Sequence, residues 1–257
     1  MNETRFTGER LHEDLALFAV DLARHCAAYE FARERLAGAR ILDLGCGSGS
    51  GTSRLASAAA RVVGIDRVHP DRASRSAGAY FCRADIAGLP VRAQSFDAVV
   101  SFQVIEHLAD PAPYLRAIAA LLVAGGTALV STPNRQLSDG VNPYHVHEYL
   151  SQELHDLLAG HFALVEVLGV GMSEPVRRAM AARSRRIRRV MRMDPLRLRE
   201  RLPRALVLKL FAWGALVVRR AAARADGTPD LSWRDFPIGR ADDAASIDWL
   251  AVCRGPR

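Results

Sequence analysis

A chain of 257 residues, 49% of them apolar, can bury one large core but not several. Its four scattered cysteines (Cys26, Cys46, Cys82, Cys253) include no CxxC pair, which argues against a disulfide scaffold and a zinc framework. The net charge of +7 is concentrated: residues 172–227 hold 16 Arg and Lys against 4 Asp and Glu, while 19 basic against 24 acidic residues leave the remainder at −5, so the basic segment is read apart from the core.

In chain order, the charged start MNETRFTGERLHEDL lacks the apolar run of a signal peptide, and a cytoplasmic setting is expected. Apolar residues then recur at three and four through LALFAVDLARHCAAYEFARERL, predicting a helix from about Asp14 to Leu36, ended by Gly38. RILDLG (40–45) reads as a short buried strand and Thr52–Ala60 as a helix. RVVGID (61–66), AYFCRAD (79–85) and FDAVVSF (96–102) read as further strands. Pro111–Val123 is a helix with proline near its start, and GTALVSTP (126–133) is a fifth strand. Ser151–Leu158 reads as a helix with a serine cap and Glu153 early in its first turn. FALVEVLGV (162–170) and IDWLAVC (247–253) complete the set. Strand and helix alternate from 40 to 170, which predicts a parallel, doubly wound sheet. Ligands of such sheets sit beyond the carboxyl ends of the strands.

After the first strand come Gly45, Gly47, Gly49 and Gly51. Glycines there admit positive φ and let a ligand touch bare backbone. A dinucleotide GxGxxG turn is excluded by spacing, since its third glycine would stand at Ser50. Asp43, two residues before the turn, suits a cationic ligand group and would face a pyrophosphate badly. Asp66 ends the second strand, where an acid can accept both hydroxyls of a ribose. Asp85 follows the third. Three acids after three successive strands favour an adenosine that carries a cation over one that carries phosphates.

ILDLGCGSG, VVGIDRV, CRADIAGLPVRAQSFDAVVSFQVIEHLADP and LLVAGGTALVSTPN resemble, in order and spacing, a class I S-adenosylmethionine-dependent methyltransferase. The resemblance covers 40–170 and takes Ile247–Cys253 as the antiparallel last strand. It implies an α/β, Rossmann-like, doubly wound sheet of seven strands, with a helical basic insert before the last one. The binding domain is then 1–171 with 241–257, and the insert 172–240. By resemblance, Gly45, Gly47 and Gly49 border the methionine part of the donor, S-adenosyl-L-methionine. Asp66 holds its ribose, Asp85 with Ile86 holds its adenine, and Phe102 lies beside it. Related enzymes close a helix over the donor. Here that helix carries His25 and Tyr29 on one face, and plain packing on the sheet is the alternative.

For the acceptor, SFQVIEHL after the fourth strand offers Glu106 and His107, and NPYHVHEYL (142–150) after the fifth offers His145, His147 and Glu148. Both resemble ubiquinone-pathway O-methyltransferases and small-RNA 2′-O-methyltransferases, whose pattern is ExxEH after strand four; the RNA enzymes add a later histidine, here His145, with an aromatic-flanked glutamate, and together these ligands hold a divalent metal. In this chain Gln103 replaces the first acid, which weakens such a site. A metal-free base, His145 with His147 and Glu106 in reserve, is therefore preferred over a metal. STPNR…NPYHVHEY is also similar to methyltransferases acting on sugars in glycan and glycolipid assembly. The expected activity is O-methylation of a sugar or glycan hydroxyl, with a quinone or lipophilic phenol as alternative acceptor. The rival from another class is a donor-binding adaptor that acts through its basic helices. The insert is read first as an acceptor lid and second as a membrane-surface contact through 177–225. Few aromatics interleave its arginines, which disfavours nucleic acid. The apolar run Ala205–Val218 has 14 residues, short of the roughly 20 needed to span a bilayer.

Overall fold

The computed structural model describes residues 19–68, 70, 76–86, 88–138, 142–191 and 231–257. The start of the expected first helix and residues 192–230 of the insert, with the apolar run Ala205–Val218, lie outside the described residues.

Eight strands form one mixed sheet: β1 Arg40–Leu44, β2 Arg61–Asp66, β3 Ala79–Arg83, β4 Phe96–Phe102, β5 Leu122–Pro133, β6 Phe162–Val170, β7 Ile238–Arg240 and β8 Asp248–Pro256. Their order is β3-β2-β1-β4-β5-β8-β6-β7. The first five pair in parallel. β8 runs antiparallel between β5 and β6, as expected of the last strand. The expected number of seven is corrected to eight, because Ile238–Arg240 pairs antiparallel with Leu168–Val170. Three residues with a central glycine give too little apolar alternation to be read as a strand, and residues assigned to the insert here extend the sheet.

Strand periodicity sorts the core into two layers. Leu42, Leu44, Val99, Ala128, Val130, Trp249 and Ala251 enter one apolar cluster, with α3 (Ala112–Leu121) and α4 (Ser151–Ala159). Ile41, Ala98, Val100, Leu129, Leu250 and Val252 enter the other, with α1 (Ala19–Arg35) and α2 (Ser50–Ala56). Asp43 stands two residues after Ile41 and therefore faces α1 and α2. Reversal of strand order between β1 and β4 opens the crevice at their carboxyl ends.

Two local expectations are corrected. β5 begins at Leu122 rather than at 126, because Leu122 pairs with Phe96 before the register shifts and Gly125 turns at φ 76°. The start of α4 is capped by Glu153, whose carboxylate accepts the Leu150 amide at 3.0 Å, rather than by Ser151.

Beyond β5, buried Asn134 ties the sheet to the entry of β8 and to Tyr149. Its Nδ2 donates to the carbonyls of Asp243 (2.8 Å) and Ser246 (2.7 Å), and its Oδ1 accepts the Gln136 amide at 2.9 Å. It also forms a backbone bridge with Tyr149. Asn134→Ala leaves three buried or half-buried groups without these partners. It is expected to lower stability in urea unfolding by about 2–4 kcal/mol.

Candidate active site

The turn after β1 is built around Asp43, which is fully buried. Tyr29 Oη donates to its carboxylate, 3.2 Å from each oxygen, and Thr52 Oγ1 donates at 2.7 Å. Every partner the structure gives this carboxylate is a neutral hydroxyl. Burial pushes its pKa up to about 7, although the hydrogen bonds from Thr52 and Tyr29 act the other way. A cationic ligand group is what such a buried, neutrally bonded carboxylate favours.

The glycines have separate reasons. Gly45, Gly47 and Gly49 lie at φ 80°, 56° and 90°. A Cβ on Gly45 would come within 2.5 Å of Val104, whereas one on Gly47 would point into open space. Gly51 sits against the Tyr29 ring, leaving no room for a side chain. Gly49 starts α2 in the left-handed region. Asp66, at the end of β2, accepts the amides of Gly47 and Val68 at 3.0 Å each, so the second acid and the turn position one another. Asp85 is exposed just past β3, and Ile86 packs against the core beside it.

α1 lies over this turn. His25 and Tyr29 stack along one face, ring centroids 5.6 Å apart, and Tyr29 meets Phe102 edge-on at 4.9 Å. Burial, then the charge of Arg24, lowers the His25 pKa to about 4, so it stays neutral and does not compete with a cationic ligand. Arg24, the residue before it, reaches across to Asp248 at the start of β8 (3.2 Å).

A second cluster, expected to serve the acceptor, gathers at the ends of β4 and β5. Glu106 and His107 stand in a 3-10 turn, Ile105–His107. The carbonyl of Glu106 accepts the amides of Val146 (2.7 Å) and His147 (3.2 Å), which stitches the histidine loop to that turn. Glu106 is fully buried, and Thr132 Oγ1 donates to its Oε2 at 3.1 Å. Among the described residues, its Oε1 is one of two buried side-chain atoms without a hydrogen-bond partner. Burial raises its pKa to about 8. His107 Nδ1 donates to the Tyr144 carbonyl at 3.0 Å, and His145 Nδ1 pairs with Glu148 at 2.5 Å. Both bonds place the ring proton on Nδ1 and the basic lone pair on Nε2. Burial alone would raise the Glu148 pKa, but hydrogen bonds from His145 and Ser138 outweigh it and hold it below the ordinary value. The His107 and His145 rings meet edge-on at 5.1 Å. One ligand atom from each of Glu106, His107 and His145 lies within 4.8 Å of the other two.

His145 and Glu106 thus come together as expected, with His107. His147 does not join them: its ring packs on Tyr149 (4.6 Å) and its Nε2 lies 3.9 Å from Glu153. Gln103 sits in the left-handed region at φ 57°, its amide nitrogen 3.5 Å from Ser131 Oγ. Sequence reading missed Thr52, Thr132 and Arg24. Thr52 had a signal, since it lies in the first turn of the helix that follows the glycine turn; that helix, expected over 52–60, runs Ser50–Ala56. Thr132 and Arg24 had none beyond their neighbours.

A methyltransferase-domain family model matches residues 42–130. A probable S-adenosylmethionine-dependent methyltransferase of Mycolicibacterium smegmatis is 39% identical over 175 residues, covering 64% of this chain and 67% of the relative. A ubiquinone biosynthesis O-methyltransferase of Ruegeria pomeroyi is 37% identical over 108 residues, 38% of this chain and 43% of that protein. In fold, the chain is similar to the crystal structure of an S-adenosylmethionine-dependent methyltransferase from Thermotoga maritima, with TM-score 0.57, 13% identity, and 92% and 91% of the two chains covered.

An unfolded aspartate titrates near 4 and the buried Asp43 near 7. The cost of its buried charge is therefore absent below about pH 4 and fully present above about pH 7. Asparagine keeps an acceptor for one hydroxyl and offers its amide to the other. Asp43→Asn is expected to raise the ligand-free melting temperature at about pH 8 and to leave it little changed near pH 4. In calorimetry the same substitution should weaken S-adenosylmethionine at least about tenfold, while wild-type affinity rises as pH passes upward through about 7.

Proposed function

The chain belongs to the class I S-adenosylmethionine-dependent methyltransferases, and from that premise we propose that it methylates a hydroxyl oxygen, with His145 as the base. The observation that carries this reading is the Glu148–His145 pair beside Glu106 and His107, at the strand ends next to the donor turn. The donor supplies a methyl group on a sulfonium, with a neutral thioether as leaving group, so alignment provides much of the rate. An alcohol must still lose its proton as it attacks. His145 Nε2 takes that proton, and Glu148 across the ring stabilises the imidazolium. Glu106, with its pKa near 8, is mostly protonated at neutral pH. It holds a proton there better than it takes one, which moves it from reserve base to a wall of the site. On the donor side, Asp43 and the Gly47 backbone face the amino-acid part, Asp66 the ribose, and Asp85 with Ile86 the adenine.

A sugar or glycan hydroxyl is the acceptor this reading favours. Around the histidine loop, Arg135 pairs with Glu153 (3.1 Å), and Glu153 lies beside His147. These side chains are half exposed, and such a polar rim suits a molecule with several hydroxyls. A quinone or lipophilic phenol is the alternative, favoured by the likeness to ubiquinone-pathway enzymes and by exposed Val146, 54% accessible in the same loop.

One observation favours a second reading of the chemistry. The orphaned Oε1 of buried Glu106 fits a divalent cation held with His107 and His145, both of which are oriented through Nδ1. When bound, such an ion lowers the pKa of a hydroxyl it contacts.

His145→Ala is expected to lower kcat by about 100-fold or more while leaving donor affinity unchanged. The assay is S-adenosylhomocysteine release with oligosaccharide and catechol acceptors in parallel. Turnover that survives EDTA supports the base reading; turnover lost to EDTA and restored by magnesium supports the metal. Undiminished activity of His145→Ala would remove both.

A further inference from the structure

After β6 the chain enters helix α5, Glu174–Met191, with the sequence EPVRRAMAARSRRIRRVM. It holds seven arginines and one acid, Glu174. Arg177 and Arg178 both pair with that glutamate, at 2.9 and 3.0 Å. The other five arginines therefore have no acid on their own helix. The root of the helix is fixed to the body of the protein. Val176 is fully buried, Met180 packs on the α1-side core, and Ser173 binds Asp235 through its hydroxyl (2.9 Å) and its amide (2.8 Å). Arg185, two turns on from Arg178, is exposed.

The root also has a definite place in the sheet. Val170, the last residue of β6, pairs with Asp248, and Asp248 pairs with Pro133 at the end of β5. The basic helix thus leaves from the edge of the sheet that carries the histidine loop.

We propose that α5 is a docking surface for an anionic lipid bilayer, which it brings to the acceptor edge of the enzyme. Charge complementarity selects an anionic partner: each arginine near an anionic membrane surface adds attraction. Composition selects lipid over nucleic acid, because α5 contains no Phe, Tyr or Trp to stack a base. Its non-arginine positions are mostly alanine, methionine, valine and isoleucine, which an interface accepts along the side of a basic helix. No described helix is long and apolar enough to cross a membrane, so contact at the surface is the mode that the helix allows. This inference is independent of the identity of the base or the acceptor.

The test is vesicle flotation of the full chain loaded with S-adenosylhomocysteine. Vesicles of phosphatidylcholine alone are compared with vesicles that contain about one third phosphatidylglycerol. Binding is expected to the anionic vesicles only and to weaken strongly at about 0.5 M salt. Replacing Arg185, Arg186, Arg188 and Arg189 together by glutamine should lower the partition coefficient by about 100-fold or more. Donor affinity measured by calorimetry should not change, which shows that the variant is folded and keeps this result separate from the methyltransferase reading. Equal binding to neutral vesicles, no binding to anionic vesicles, or a variant that binds like wild type would overturn the proposal. Tighter binding of single-stranded RNA than of anionic vesicles at the same salt would overturn it as well.

Discussion

A carboxylate with no exposed surface, at the end of the central strand, is the constraint from which the rest of the donor side follows. Burying Asp43 is costly unless its oxygens are hydrogen-bonded. The two donors, Tyr29 and Thr52, come from two different helices. α1 must therefore lie over the turn to deliver Tyr29, and α2 must begin where Thr52 faces inward. Once Tyr29 is in place, its ring occupies the space a side chain at position 51 would need, so Gly51 answers to packing and not to ligand contact. Gly45 is held to glycine both by its positive φ and by Val104. Of the four glycines, Gly47 is the one whose missing side chain leaves open space in a left-handed turn, and its amide is fixed by Asp66.

The second buried acid shows the same physics with a different resolution. Glu106 also has its pKa raised by burial, but its neighbours satisfy one carboxyl oxygen and leave the other without a partner. Asp43 is bonded by two hydroxyls, whereas Glu106 is bonded by one, Thr132, and has the imidazoles of His107 and His145 close by. The first environment suits a cation carried by a small molecule. The second can hold a proton, or an ion, shared with histidine. On the proposed reading, two acids with raised pKa values on either side of the β1/β4 reversal give the crevice one end for a charged donor and another for proton chemistry.

How much of this was legible in the sequence depended on whether the signal was local. β2, β4 and β6 have the bounds expected of them, because each is an apolar run ended by a turn. β7 was not legible: Ile238, Gly239 and Arg240 become a strand only because β6 offers them an unpaired edge. The early start of β5 depends on a register shift beside Phe96, which periodicity does not encode. In the site, the positions of the candidate donor residues from Asp43 to Phe102 were readable because each lies at or just past a strand end, which apolar patterning locates best; His25 and Tyr29 lie instead within α1. The acceptor residues were readable as types but not as directions. His145 and His147 are two residues apart in a loop. The backbone bonds that pin Val146 and His147 to the Glu106 carbonyl accompany one imidazole toward Glu106 and the other toward Glu153. Spacing alone does not decide between them.

That difference has a physical consequence for what the two halves can tolerate. The donor half rests on strand ends, a helix start and a buried tyrosine, all committed to the core. The acceptor half is a loop held by hydrogen bonds: two amides on one carbonyl, His107 on the Tyr144 carbonyl, Glu148 on Ser138 and His145, Asn134 on the entry to β8. None of these bonds specifies the side chains that face outward at 146 and 147 or those on the rim at 135 and 153. The loop can thus change the surface it offers an acceptor while its backbone keeps His145 at the strand ends. On the proposed reading, buried contacts set the reaction chemistry, while the exposed side chain at 146 is free to vary with the acceptor.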